Sequence, residues 1–271
     1  MPCPAEYNFY FTHDVLLTDL AAVKFDKERV KSDLEFIMKH SNDSLIIPHA
    51  YYWKDSTFVT EYASNDNWNN FWFIIAASEY MKYTNDSIFI KRFLPYAKKS
   101  ITQALKTKGD DDLMWSYRPD WWDIGRRYGQ RSYMTLLSIK AIRAYVSLVS
   151  NFSGNGSELS ILENTANKME VNLNTVLWNK DYNYLMNNIE AGVFDTHYYG
   201  GSLLAAHFNT IDRDKLDKLI TTAKSKLVDN KIGVYTVYPM DFENLQEVWH
   251  LQNNESGPKY QYMNGGIWPH I

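Results

Sequence analysis

The sequence predicts an all-α protein built from repeated helical hairpins. Apolar residues recur at helical spacing in five long segments, no convincing sheet pattern interrupts them, and the paired segments restart at intervals of about fifty to seventy residues.

Two helices are expected first, over about 14–25 and 27–40. Trp68, Phe71, Trp72, Ile75 and Ala76 form the next stripe, and Ile90, Phe93, Leu94, Ala97 and Ile101 the one after it. Met134, Leu137, Ala141, Ala144 and Leu148 mark a fifth helix, and Leu159, Leu162, Ala166, Met169, Leu173 and Val176 a sixth. One more starts near Gly201, and Leu216, Leu219, Ile220, Ala223 and Leu227 complete a set of eight. Short β-like pieces decorate the loops: Ile46 to Tyr52 against Thr57 to Tyr62 across Lys54-Asp55-Ser56, and Gly233 to Tyr238.

Pairing the helices places the first member of each pair near 14, 66, 130 and 199, which makes four hairpins. A lead-in rich in Tyr, Trp, His and Asp precedes each start: Tyr7 to Asp14, His49 to Asp66, Arg118 to Tyr128, and Asp195 to Gly201. A similar stretch runs from Tyr260 to His270. In a toroid of hairpins every odd helix begins at the same end, so these lead-ins converge on one aromatic and acidic cavity. Such a cavity suits a neutral, polyhydroxylated ligand whose apolar faces stack on rings. Any single ring could merely plug a helix end; five lead-ins of one kind argue for a site.

Composition narrows the function. The 271 residues are 45% hydrophobic, enough for one large domain with a buried core, so a single domain over 1–271 is expected. Cys3 is the only cysteine, which rules out an intramolecular disulfide and makes the cytoplasm the default location. No membrane helix or signal peptide is legible, and the Asn-x-Ser triplets at Asn42, Asn85, Asn151, Asn155 and Asn254 carry no weight in so Asn-rich a chain. A formal charge of −4 with both signs interspersed argues against nucleic acid as partner. The His residues form no His-x-x-x-His pair, and Gly-rich phosphate loops and Gly-x-Ser-x-Gly elbows are missing, so neither metal nor cofactor is expected.

Cleaving a glycosidic bond takes two carboxyl groups, one of them kept protonated near neutrality by burial beside apolar rings. Asp123, next to Trp121 and Trp122 and just ahead of a long helix, has those neighbours. It is the first choice for the acid, with Asp120 as alternative or hydrogen-bonding support; an N-cap role for Asp123 is the structural alternative. Arg126 could orient the acid or bind substrate.

Asp120-Trp121-Trp122-Asp123-Ile124-Gly125 resembles the Asp-Trp-Asn-Asp-x-Gly segment of cellobiose and chitobiose phosphorylases. It is also similar to the Trp-Asp segments of trehalase-like and processing α-glucosidases and of glycogen-debranching glucosidases. In those six-hairpin, (α/α)6 toroid enzymes the Asp matching Asp123 is the general acid, so the resemblance implies that role here. Phe11-Thr12-His13-Asp14 is similar to an aromatic-x-Arg-Asp segment that grips the terminal sugar, with His13 replacing the Arg. His49-Ala50-Tyr51-Tyr52-Trp53, together with Asn65 to Trp72, resembles the phosphorylases' His-Trp-Trp segment and the helix start after it. Asn264-Gly265-Gly266-Ile267-Trp268-Pro269 looks like a recurring Asn-Gly-Gly-x-Trp loop. The resemblance thus implies His13, Asp14, His49, Tyr52, Trp53, Trp68, Trp121, Trp122, Asn264 and Trp268 as sugar-binding positions.

Six hairpins make a complete toroid of this type, against four plus a lead-in here, so the expectation is an incomplete barrel that a further segment or second chain completes. The resembling α-glucosidases carry their basic Glu after the Asn264 to Pro269 loop. Within the sequence Glu61, beside the aromatic lead-in, is the base candidate, ahead of Glu243, Glu247 and Glu255. The expected activity is inverting hydrolysis of an α-glucoside or related short oligosaccharide. A disaccharide phosphorylase and a non-catalytic sugar-binding fragment are the alternatives.

Overall fold

The computed structural model describes residues 8–61, 68–122, 124–153, 156–189 and 193–268. Eight α-helices stand among them: α1 Thr12–Ala22, α2 Lys27–His40, α3 Trp68–Thr84, α4 Ser87–Ala104, α5 Ser132–Ser153, α6 Ser157–Thr175, α7 Leu204–Phe208 and α8 Arg213–Lys226. The chain forms two compact units, one from 1–106 with 140–164 and the other from 107–139 with 165–269.

In the first unit α3 packs on α1, α2 and α4. Its residues from Trp68 to Ser78 are all buried, the mark of a helix enclosed on every side. The helices around it are one-sided: α2 buries Val30, Leu34 and Ile37, and α4 buries Phe89, Ile90, Phe93, Ala97 and Ile101. Their starts are written in the sequence, since the Asp26 carboxylate accepts the Arg29 N–H at 3.1 Å and that of Asp86 accepts the Phe89 N–H at 2.9 Å. Strands β1 (Tyr10–Phe11), β2 (Ala50–Lys54) and β3 (Thr57–Glu61) form an antiparallel sheet in that order. Asp55 and Ser56 both take positive φ, 48° and 64°, as a two-residue hairpin turn that follows the strand twist requires.

The hairpin turn thus falls at the expected place, but β2 starts at Ala50 rather than Ile46. The amides of Ile46 and Ile47 donate to the side chains of Asn42 (3.0 Å) and Asn70 (3.4 Å), leaving neither for a ladder. The segment Gly233 to Tyr238 is likewise divided between two ladders. The stripe of α6 ends early too: the helix stops at Thr175 and Val176 points outward, with Leu177 buried in its place.

The second unit joins parts of α5 and α6 to α7, α8 and five two-stranded antiparallel ladders. These pair β4 (Trp115–Ser116) with β5 (Gly129–Gln130), β6 (Trp178–Asn179) with β7 (Tyr184–Leu185), and β8 (Asn187–Ile189) with β9 (Val193–Asp195). They also pair β10 (Tyr198–Tyr199) with β13 (Val237–Tyr238), and β11 (Val228–Asp229) with β12 (Gly233–Val234). Segments of two or three residues show no legible period, which is why sequence periodicity misses most of them. The helix expected near Gly201 begins instead as a 3-10 turn, Gly200–Leu203, before the short α7. At the centre of one core cluster lie Trp122, Ile189, Tyr199, Val237, Phe242, Trp249 and Met263.

Candidate active site

The segment from Tyr117 to Tyr128 leaves the β4–β5 ladder as a loop and returns just before α5. Arg131, fully buried, ties it down. Its guanidinium donates to the carbonyls of Arg118 (2.8 Å), Gln130 (2.7 Å), Asn188 (3.3 Å) and Arg127, and lies 5.0 Å from the centre of the Trp249 ring. Arg118 donates to the carbonyl of Gly125, whose φ of +72° glycine adopts freely. Buried Asn187 in β8 accepts the Ser132 N–H at 2.7 Å, capping α5, and donates to the Pro119 carbonyl at 2.9 Å. The residue that follows, Asp120, is therefore fixed from both sides.

Asp120 is 1% exposed. Its carboxylate accepts the Trp121 N–H at 2.8 Å and the Gly201 N–H at 3.1 Å. Burial pushes its pKa up to about 7, against the two N–H groups, which favour the ionised form. A methyl group on Gly201 would overlap a carboxylate oxygen of Asp120, so only glycine permits this approach. Trp122, 1% exposed, packs edge-on to Tyr199 and Phe242 with ring centres 5.2 and 5.0 Å away. Trp121 is half-buried and meets the Trp268 ring at 5.1 Å, and Trp268 in turn lies 5.9 Å from Tyr262. Asp123, the expected acid, lies outside the described residues, as do Asn65 to Asn67 and Pro269.

The structure gives three expected sugar-binding residues different work. Trp122 and Trp68 are core side chains, each 1% exposed, with no ring face left for a ligand to stack on. Asn264 is fully buried: its side-chain oxygen accepts the Phe242 N–H at 3.2 Å and its amide donates to the Gly257 carbonyl at 3.2 Å, so it shapes the loop. Arg126 is exposed, its guanidinium 5.8 Å from the Tyr117 ring centre, and its N–H donates to the Trp249 carbonyl.

The remaining expected residues belong to the first unit. His13 is buried with its ring 6.1 Å from that of Trp72, and Asp14 follows it in the first turn of α1. His49 lies 5.4 Å from the Phe11 ring, Tyr52 stacks on Phe9 at 4.1 Å, and Trp53 is 62% exposed at the hairpin tip. Glu61 is exposed at the end of β3.

Sequence reasoning missed a chain of side chains beside Trp122, buried at its inner end. His197 stands between two carboxylates, Nδ1 2.8 Å from Asp195 Oδ1 and Nε2 2.7 Å from Asp241 Oδ1. Asp195 also accepts the His197 N–H at 3.0 Å and the hydroxyl of buried Tyr199. Burial opposes charge on His197, but the two carboxylates outweigh it and raise the imidazole pKa above its ordinary value. The lead-in from Asp195 to Gly201 stood out by composition; Asp241 carried no sequence signal. Among the described residues no group of three or more His, Cys, Asp or Glu side chains is placed to hold a metal ion, and no helix is long and apolar enough to cross a membrane.

No family model matches the sequence, and no curated protein matches it in sequence. Solved structures of similar fold include rhamnosidases and a mannosylglycerate hydrolase. A rhamnosidase from Klebsiella oxytoca with rhamnose bound is 10% identical over 82% of this chain and 42% of its own, with a TM-score of 0.67. The GH78 family rhamnosidase of Bacillus sp. GL1 is 18% identical over 83% of this chain and 24% of its own, with a TM-score of 0.69. GH63 mannosylglycerate hydrolase from Thermus thermophilus, in complex with Tris, is 12% identical over 97% of this chain and 78% of its own, with a TM-score of 0.74. The chain thus spans less than half the length of either rhamnosidase. At these identities the likeness shows the fold, and function has to be argued from the site.

Proposed function

We propose that the chain carries the catalytic face of a glycoside hydrolase that acts, with inversion, on an α-glucoside or a related short oligosaccharide. The buried carboxyl group of Asp120 carries this reading. It is a carboxyl group withdrawn from water, raised to about 7, at the root of the segment that bears Trp121, Trp122 and Asp123. In this reading Asp123 donates the proton to the leaving oxygen, as its motif implies. Asp120, with backbone N–H groups on both its oxygens, serves as the support that fixes the segment. Trp121 and Trp268, only partly buried, supply ring surface for a sugar face. The water-activating carboxylate in this reading is a Glu, and Glu243, Glu247 and Glu255 are the candidates in the same unit as Asp120.

The fold neighbours support the reaction class, and their substrates widen the panel to test. Nitrophenyl α-glucoside, nitrophenyl α-rhamnoside and mannosylglycerate are incubated with the parent chain and with Asp123→Asn. The expected result is sugar release by the parent and a loss of about 10²- to 10⁴-fold in the variant at unchanged affinity. Sugar 1-phosphate released only with inorganic phosphate would replace hydrolase by phosphorylase. Binding without release in the parent would favour a sugar-binding chain instead.

A further inference from the structure

Exposure rises steadily along the Asp195–His197–Asp241 chain. The side chain of Asp195 is 3% exposed, that of His197 9% and that of Asp241 41%. A neutral imidazole carries one N–H and donates to one carboxylate, whereas an imidazolium has a donor for each of the two carboxylates at 2.8 and 2.7 Å, and it is the form that both carboxylates favour. The groups that face it are Asp195 and Asp241, with Tyr199 next to it at 6.1 Å between rings and Phe242 at 5.5 Å. Asp195, deep in the fold, holds both the ring and the Tyr199 hydroxyl, and so sets the orientation of the imidazolium.

The outer end of the chain is what asks for an explanation. Burying a His and a second carboxylate behind a surface Asp costs desolvation, and a surface ion pair needs no such backing. What the backing provides is a carboxylate with one oxygen immobilised and the rest of the group turned towards water. The position is equally specific, because the next residue, Phe242, packs on Trp122 at 5.0 Å and its N–H is held by Asn264. Asp241 is thereby tied to the segment that carries Asp120 and Trp121.

We propose that Asp241, oriented by His197 and Asp195, is a hydroxyl-binding residue that accepts a hydrogen bond from a saccharide ligand through its outer oxygen. His197 is a positioning residue in this arrangement. An imidazolium-paired carboxylate is a firm acceptor and a poor proton abstractor, which fits recognition better than general-base work. The proposal rests on the glycoside hydrolase reading, and it adds a specificity contact that the sequence motifs do not contain.

The test uses the saccharide that the substrate panel selects, its monodeoxy analogues, and the variants Asp241→Asn and His197→Gln. Asp241→Asn turns the outer acceptor into a donor at an exposed position. The expected result is a rise of about 10-fold in KM and Kd, with kcat changed less than about twofold. One monodeoxy analogue should bind the parent more weakly by the same factor and bind Asp241→Asn no worse than the full sugar does. His197→Gln should weaken binding similarly and flatten its dependence on pH above about 6.5. A parent that binds sugar while Asp241→Asn binds it equally well overturns this proposal and leaves the hydrolase reading intact. Equal losses for every deoxy analogue would also overturn it, since they indicate distortion rather than a lost contact. A parent that binds and cleaves no saccharide at all overturns both.

Discussion

The backbone N–H of Gly201 donates to the carboxylate of Asp120 at 3.1 Å, across 81 residues of sequence, and no side chain fits between them. Gly201→Ala must therefore displace either the 3-10 turn or the Asp120 segment. The expected cost is about 1–3 kcal/mol, as for other overpacked sites, together with loss of saccharide binding. Urea titration measures the first and calorimetry the second; an alanine variant as stable as the parent would show that the approach is looser than described.

The raised pKa of Asp120 makes a signed prediction about pH. Its folded value of about 7 exceeds the ordinary 3.8, so the protonated group favours the folded state, and that contribution is lost as pH rises from about 4 through about 7. The shift corresponds to roughly 4 kcal/mol across that window. Asp19, in the first unit, is raised to about 8 by burial and acts in the same direction. Asp120→Asn, which cannot ionise, should flatten the Asp120 part only. Melting temperatures of parent and variant at pH 5 and pH 8 separate the two: an unchanged slope would mean that Asp120 titrates normally.

His197 adds to the same slope by a different route. Its pKa lies above 6.5 because two carboxylates outweigh its burial, so its stabilising proton is fully present below about 6.5 and lost as pH rises through the folded value. Proton NMR of the imidazole resonances should show one of them titrating above the ordinary range and absent from His197→Gln. If every His titrates at or below 6.5, the doubly bonded imidazolium does not exist.

Arg131 is the strongest tie on the loop. Arg131→Lys keeps the charge but cannot reach four carbonyls from one planar fork, and the expected destabilisation is about 3 kcal/mol or more. Because the same fork holds the carbonyls of Arg118 and Arg127, hydrogen exchange in 117–128 should quicken more than in α3. Uniform quickening throughout the chain would argue that Arg131 supports global stability alone.

Much of the architecture was legible in sequence because local physics sets it. The stripes at helical spacing located α3 to α6 and α8, a helix over about 27–40 matched α2, the Asp residues ahead of α2 and α4 capped them, and Asp55-Ser56 turned the β2–β3 hairpin. The composition of the lead-ins also flagged where chemistry gathers, and Asp120, Trp121 and the stretch from Asp195 to Gly201 came from that signal.

Which of those residues touch water, and which touch each other, was settled only by tertiary structure. Trp68 stands in a helical stripe and could be read as core, but nothing near Trp122 or Asn264 in sequence says that they are buried, and the packing leaves none of the three a face for a ligand. Burial raises the pKa of Asp120 against N–H groups from Trp121 and from Gly201, 81 residues distant, and His197 is held by Asp195 and by Asp241, 44 residues distant. Periodicity reports the burial of a helix face within a few residues; it carries no information on which distant loop will supply a proton, a carboxylate or a missing methyl group. The sequence by itself determined a helical protein with aromatic, acidic loops, and the fold decided which of those acids is dry, which is presented to solvent, and what holds each in place.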